Sequence, residues 1–201
     1  MSLYVYGMMR QEDGVRAVRA LDPASLQAVE YADISALVVN VGEGDLPWQE
    51  RVAGHRDTLQ LAFNYGPVLP VRAGTILPDA ATLEAELLAP RATALRARLE
   101  ALEGLSEMQV EFRDTHDSQG LIAALQPLAV AVSVRQPSHE RGILSASFLV
   151  ADDRLSDFDT EAERLSNGGA GNIQLSLIGP TPAYSFAEGR WETEVPSERE
   201  S

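Results

Sequence analysis

Residues 26–41 read LQAVEYADISALVVNV, two runs rich in β-branched and apolar residues that are separated only by Ala32 and Asp33. Two residues leave room for nothing longer than a tight turn. The runs Leu26 to Tyr31 and Ile34 to Val41 are therefore predicted to pair as an antiparallel hairpin. What lies on either side of this hairpin determines the rest of the unit.

On the N-terminal side, the sequence predicts one strand and one helix. The run from Leu3 to Met9 is rich in β-formers and is typical of a buried strand. Val15, Val18 and Leu21 follow at spacings of three, which predicts a short helix closed at residues 22–23, Asp-Pro.

On the C-terminal side, the same two elements recur in reverse. An amphipathic helix ending at Gly66 is predicted from apolar-face positions at spacings of four and three: Trp48, Val52, His55, Leu59 and Ala62. Residues 67–72 then indicate a strand whose prolines confine it to an edge or an end of a sheet. The order β-α-β-β-α-β predicts a ferredoxin-like unit, with four antiparallel strands and two helices on one face.

The second half of the chain repeats this plan loosely. A long helical pattern runs from Pro78 to Gly104, and Pro90 predicts a kink or break near Ala89. Strands are expected at 108–112, 143–151 and 172–178, with a helix at 155–165 before the last. The pattern across 121–134 fits a helix or a strand, and periodicity does not decide between them. The fold class is therefore α+β, with domains predicted at 1–76 and 77–186, the latter including the linking helix, and an acidic tail at 187–201.

Composition excludes several kinds of chemistry. The chain has 201 residues, no cysteine and a formal charge of −14, and each of its 16 basic residues is an arginine. Without cysteine there is no thiol nucleophile or thiolate metal site, and without lysine there is no Schiff base and no phosphate-loop lysine. The acidic balance disfavours nucleic acid and anionic membranes as partners. No signal or membrane-spanning pattern is present, so an intracellular protein is expected.

Three places could carry catalysis or bind a ligand, and a structural reading is preferred for each. His55 lies on the apolar stripe of its helix without an identifiable nucleophile, which favours a core or interdomain histidine. Residues 114–117, Asp-Thr-His-Asp, lack metal-ligand spacing and are typical of a solvated turn. The glycines of 167–172 follow a helix, whereas phosphate loops precede one. No catalytic, cofactor or metal residue is therefore predicted.

Two proline-rich segments are more informative. Residues 67–75 read PVLPVRAGT, and residues 179–186 read GPTPAYSF. Each follows or forms the last strand of its unit, and each is predicted to be a stiff segment that contacts another protein or docks the two units together. The candidate partner-binding or interdomain residues are His55, Pro67, Val68, Leu69, Pro70, Arg72, Tyr184 and Phe186.

These segments resemble the gas vesicle GvpL/GvpF family. The resemblance rests on residues 4–7 (YVYG), on His55 followed by residues 66–75 (GPVLPVRAGT), and on residues 107–112, 145–150 and 179–186, which keep the family's order. Three positions depart from the family pattern by carrying smaller or less rigid residues: Ala73, Thr181 and Ala183. The resemblance implies a ferredoxin-like N-terminal domain and a modified ferredoxin-like C-terminal domain.

The same resemblance implies a function. It suggests a minor, non-catalytic protein required for gas vesicle formation, located at the gas vesicle within the cytoplasm. Its implied partners are the small hydrophobic shell protein and other gas vesicle accessory proteins. Two alternatives stay open from the residues alone. One is a small-molecule enzyme or sensor in which His55, Arg72 and Tyr184 converge on one pocket; the other is an interaction adaptor unrelated to gas vesicles.

Overall fold

The structure, a computed structural model, describes residues 2–22, 24–42, 48–112, 118–135, 144–168 and 175–187. The strands in these ranges are β1 (Ser2–Arg10), β2 (Leu26–Tyr31), β3 (Ile34–Val41), β4 (Leu69–Pro70), β5 (Ile76–Leu77), β6 (Leu105–Phe112), β7 (Ala131–Arg135), β8 (Leu144–Ala151) and β9 (Leu175–Thr181). The α-helices are α1 (Gln11–Leu21), α2 (Trp48–Phe63), α3 (Ala80–Leu83), α4 (Ala92–Ala101), α5 (Ser118–Leu125) and α6 (Leu155–Gly168).

The N-terminal strands form one antiparallel sheet in the order β2-β3-β1-β4. This is the strand order of the ferredoxin-like fold, and the prediction from the hairpin is confirmed. The hairpin turns at Ala32, whose φ is 53°. The last strand is shorter than predicted, because only Leu69 and Pro70 of residues 67–72 form a ladder. The chain then leaves β1 and returns to it at β5.

A β-bulge in β1 determines which side chains face which side of this sheet. Val5 pairs with Val38 and Gly7 pairs with Leu37, so Tyr6 is the extra residue. Because the bulge shifts the alternation by one, Val5 and Met8 share a face although their spacing is odd.

Both faces of the N-terminal sheet are covered. Helices α1 and α2 lie on one face, where their apolar residues pack with Met9, Leu37 and Val68. The opposite face carries Val5, Ile34 and Val38, which pack against the leucines of the linking helix, residues 80–101. The prediction placed both helices of the unit on one face, and this is confirmed. The linking helix covers the opposite face of the sheet.

The linking helix is interrupted where Pro90 predicted a break. Helix α3 continues into a π-helical turn (Glu84–Leu88) and a 3₁₀ turn (Ala89–Arg91) before α4 begins. Pro90 has no backbone N–H to continue the α-helical ladder. The helix is also fixed by charge, since Arg96 forms a bidentate pair with Asp33 of the hairpin turn and Arg10 pairs with Glu103.

The C-terminal strands repeat the plan, with the order β7-β8-β6-β9 and antiparallel pairing throughout. Helices α5 and α6 cover one face of this sheet, with Phe112, Phe148 and Phe158 fully buried between the layers. Residues 121–134, for which the sequence left helix and strand open, contain both: α5 ends before Pro127, and β7 begins after it. The boundaries of the two domains stay a prediction, as does the tail, of which residues 188–201 lie outside the described ranges.

Candidate interaction site

The two units are joined by the closing segment, residues 179–186, which runs from the end of β9 over the N-terminal unit. It begins with a cis peptide bond between Gly179 and Pro180. On one side Gln60 of α2 donates a hydrogen bond from Nε2 to the Pro180 carbonyl at 3.0 Å. On the other, Arg98 of α4 donates to the Phe186 carbonyl. The segment therefore contacts helices on opposite faces of the N-terminal sheet.

A buried carboxylate holds this segment to the C-terminal sheet. Glu107 of β6 is only 2% exposed. It accepts two hydrogen bonds from Ser185, one from the backbone N–H to Oε2 and one from the hydroxyl to Oε1, each 2.7 Å long. Since the Ser185 hydroxyl donates to Glu107, the Ser147 hydroxyl 2.9 Å away is the donor in the next bond of the chain. We call Glu107, Ser147 and Ser185 the carboxylate clamp.

The clamp places the residues next to Ser185 against the N-terminal unit. Ala183 is buried in the core that the linking helix shares with the first sheet, and Phe186 packs against that core. Tyr184 turns the other way and packs with the apolar residues beneath α1 and α2. One short segment thus reaches the cores on both sides of the N-terminal sheet.

The ring of Tyr184 packs against apolar residues, and charged side chains lie near enough to influence its hydroxyl. Burial raises the pKa of Tyr184 to about 12, with Glu107 and Asp57 adding to the rise and Arg56 opposing it. Its hydroxyl is buried and, within the described residues, has no hydrogen-bond partner. Burial thus favours the neutral form of the phenol, whose ring packs against the core beneath α1 and α2.

His55 is a structural residue of the N-terminal unit. It is 5% exposed, its Nδ1 lies 3.0 Å from the Tyr4 hydroxyl, and its ring stacks on Tyr6 with centroids 5.5 Å apart. Burial lowers the pKa of His55, and a hydrogen bond to the Val71 backbone partly opposes this shift. The Tyr4 hydroxyl in turn accepts the Gly74 N–H at 3.2 Å. Through these contacts His55 and Tyr4 fix the loop that follows β4.

The other candidate residues of this loop divide into buried and exposed ones. Pro67, Val68 and Leu69 are buried, and Pro70 is half-buried. Val68 and Leu69 enter the cores on opposite faces of the sheet, so neither side chain is free for a partner. Arg72 is exposed. The loop closes beneath it, because the Thr75 N–H and hydroxyl both donate to the Arg72 carbonyl, at 3.1 and 2.8 Å.

Sequence reasoning missed the clamp and a second buried acid. Asp13 of α1 is 4% exposed, pairs with Arg10 and Arg16, and lies against Gly66. A Cβ at Gly66 would approach Asp13 Oδ2 to 2.5 Å, which explains the glycine before Pro67. The ion-pair partners of Asp13 are close in sequence, but its contact with Gly66, which lies 53 residues further along the chain, has no sequence signal.

The structure does not assemble a catalytic constellation from the predicted residues. Within the described residues, no hydrogen bond or ring contact links His55, Arg72 and Tyr184 to one another, and no group of three potential metal ligands is present. Residues 114–117 and 169–172 lie outside the described ranges. No helix within those ranges has the length and apolar character needed to cross a membrane.

These features define a two-domain protein built from two ferredoxin-like units, in which the buried polar groups maintain the architecture. The sequence profile described as gas vesicle synthesis protein GvpL/GvpF matches residues 2–118 and 109–188. The chain therefore belongs to the GvpL/GvpF family, and it is a gas vesicle-related protein.

Individual relatives agree with this membership. Gas vesicle protein F of Haloferax mediterranei is 26% identical over 200 residues, covering 93% of each chain. Gas vesicle protein F of a Streptomyces species is 27% identical over 242 residues, covering 94% of this chain and all of that one. The crystal structures of GvpF from an Anabaena species and from Microcystis aeruginosa each superimpose with a TM-score of 0.77 at 20% and 16% identity. Both cover 93% of this chain, with 96% and 99% of the respective neighbours, and show the same two-unit fold.

Proposed function

We propose that this chain is a minor, non-catalytic structural or assembly component required for gas vesicle formation, acting at the vesicle within the cytoplasm. The observation that carries the proposal is the family match, which extends across both units and the closing segment. In this role the protein binds the small hydrophobic shell protein and other accessory proteins of the vesicle. Two buried polar groups, Glu107 and His55, are occupied by hydrogen bonds to Ser185 and Tyr4, which supports a structural role for both.

The loop after β4 is proposed as part of the binding surface. It follows the short outer strand β4, and its conformation is fixed by the bonds to Tyr4 and His55. Arg72 stands exposed on this fixed loop and, among the described residues, makes no ion pair. A guanidinium presented on a rigid backbone can donate a bidentate pair of hydrogen bonds to a carboxylate or to carbonyl groups of a partner.

The role in assembly is tested by deleting the chain from a host that makes gas vesicles. We expect loss of vesicles by electron microscopy and loss of flotation, with both restored by the wild-type chain. Normal vesicles in the deletion strain would refute the required role.

The binding surface is tested with purified proteins. Arg72→Ala is expected to leave the melting temperature unchanged and to weaken capture of the shell protein about tenfold, which corresponds to roughly 1.4 kcal/mol. Arg19→Ala is the matched control, because Arg19 is also exposed and its removal changes the net charge equally. Equal effects of the two variants would mean that net charge, and not the loop, governs capture.

A further inference from the structure

Among the described residues, the two sheets have four outer edge strands, and three of them, β2, β4 and β9, are protected against strand addition. The edge formed by β4 has a two-residue ladder that includes Pro70, and Pro67 lies two residues before it. The β9 edge contains Pro180 and a shift in register, and β2 carries an exposed Glu30. Short ladders, prolines, bulges and charges are the usual means by which proteins prevent an edge strand from pairing with another chain.

The fourth edge, β7, has none of these features except a terminal arginine. Residues 131–135 read AVSVR, without proline, glycine or acid. Val134 is 51% exposed, and Val130 immediately before the strand is 66% exposed. Within the described ranges, the backbone of β7 is hydrogen-bonded only to β8. Among the described residues, the outward N–H and C=O groups of the strand have no strand partner.

Charge favours a particular occupant for this edge. The chain carries 30 acidic residues, yet none lies between Asp117 and Glu140, a region that contains α5 and β7. Two copies with a formal charge of −14 repel one another over most approaches. Helix α5 and strand β7 add no acidic group to this repulsion, which favours the β7 edge as a side on which two copies approach.

We propose that this protein self-associates through β7, pairing antiparallel with β7 of a second copy about a twofold axis at Ser133. This register uses all five residues of the strand. It places Val132 of each copy opposite Val134 of the other on the helix-covered face, and Ser133 opposite itself on the other face. The four-stranded C-terminal sheets of the two copies then form one continuous sheet of eight strands. Such an isologous contact is closed, and because a single strand edge is small, the dimer is weak and concentration-dependent.

The first test measures self-association by sedimentation of the full chain over a range of concentrations. The wild type is expected to pass from monomer to dimer, and Val134→Lys is expected to weaken dimerisation about tenfold or more. Ile178→Lys is the control, because Ile178 is 44% exposed on the opposite edge of the same sheet. Circular dichroism melts confirm that both variants are folded. A wild type that stays monomeric at all concentrations, or a dimer lost in Ile178→Lys and kept in Val134→Lys, overturns the proposal.

The second test determines the register, and the absence of cysteine from the chain makes it clean. Cross-strand pairs have Cβ atoms about 4.5–5.5 Å apart, so Ser133→Cys is expected to give a disulfide-linked dimer under mild oxidation. Ala131→Cys is the control, since its two copies are offset by four residues along the strands in this register, about 14 Å at ~3.4 Å per residue. Equal crosslinking of the two variants overturns the twofold pairing. So does a chain that captures a different protein at β7 while remaining monomeric.

Discussion

The carboxylate clamp permits a quantitative test of how the two units are held together. Glu107→Gln keeps the shape of the side chain but replaces one acceptor oxygen with an NH₂ group. Whichever way the amide turns, one of the two Ser185 donors then faces another donor. Removing the charge also removes the cost of burying a carboxylate, which acts in the opposite direction.

The magnitudes decide between these effects. A hydrogen bond to a charged group contributes about 1.5–3 kcal/mol, and a buried donor left unpaired costs about 1–3 kcal/mol. The Ser185 hydroxyl can still pair with Ser147, whereas its backbone N–H has no alternative acceptor among the contacts of the clamp. We expect Glu107→Gln to lower the free energy of unfolding by about 2–3 kcal/mol, and the melting temperature by roughly 5–10 °C for a chain of this size.

The assay is denaturant unfolding followed by circular dichroism, with Glu111→Gln as control. Glu111 lies on the same strand and the same face, and it is half-buried beside Gln109. Its substitution is expected to cost less than about 0.5 kcal/mol. In a double-mutant cycle, Glu107→Gln with Ser185→Ala should show a coupling of about 1 kcal/mol or more. A loss in Glu107→Gln no larger than that in Glu111→Gln would refute the role of the clamp.

Two further predictions concern the N-terminal unit. Gly7→Ala should destabilise the protein by about 1–3 kcal/mol in thermal melts, because the new Cβ would lie 2.8 Å from the Leu69 carbonyl oxygen and 2.9 Å from Leu59 Cδ2. The control is Gly54→Ala on α2, which should be neutral or stabilising because nothing lies within 4 Å of the new Cβ. Similar losses of stability in both variants would contradict the argument from close approach at Gly7. Burial lowers the pKa of His55 below 6.5, so on acidification the unfolded chain is protonated before the folded one, and the contribution of His55 to stability falls as the pH drops below 6.5. Measurements of the free energy of unfolding from pH 7.5 to 5 should therefore show a smaller loss in His55→Gln than in the wild type. Parallel pH profiles for the two proteins would contradict this role of His55.

The fold was largely predictable because it depends on local patterns. The turn at Ala32 and Asp33, the break at Pro90 and the helical stripes each follow from residues that are close in sequence. The length of the last strand of the N-terminal unit was harder to predict. Residues 67–72 have the composition of a strand, but the ladder to β1 contains only Leu69 and Pro70, and the chain does not return to β1 until Ile76. A proline effect on hydrogen bonding is visible in the sequence, but the place where the chain leaves the sheet is not.

The site was predictable only in part. The two proline-rich segments were recognised, and the structure places the closing segment between the units. The clamp was not recognised, because nothing in the alternating pattern of β6 distinguishes Glu107 from Glu111. What distinguishes them is Ser185, which lies 78 residues further along the chain and determines which of the two carboxylates is buried. Long-range polar pairing of this kind leaves no periodic trace.

The position of the closing segment has a consequence for how the protein is made. A ribosome releases the N-terminal unit and the linking helix first, and such units fold as they emerge. Ala183, Phe186 and Ala187, which complete the apolar layer against the linking helix, are among the last described residues to be synthesised. Until they appear, that layer lacks these three side chains, while Leu149 and Ala131 of the C-terminal sheet already pack against it. The closing segment therefore docks only after both sheets have been synthesised, and a chain that stops before Ala183 lacks these contacts.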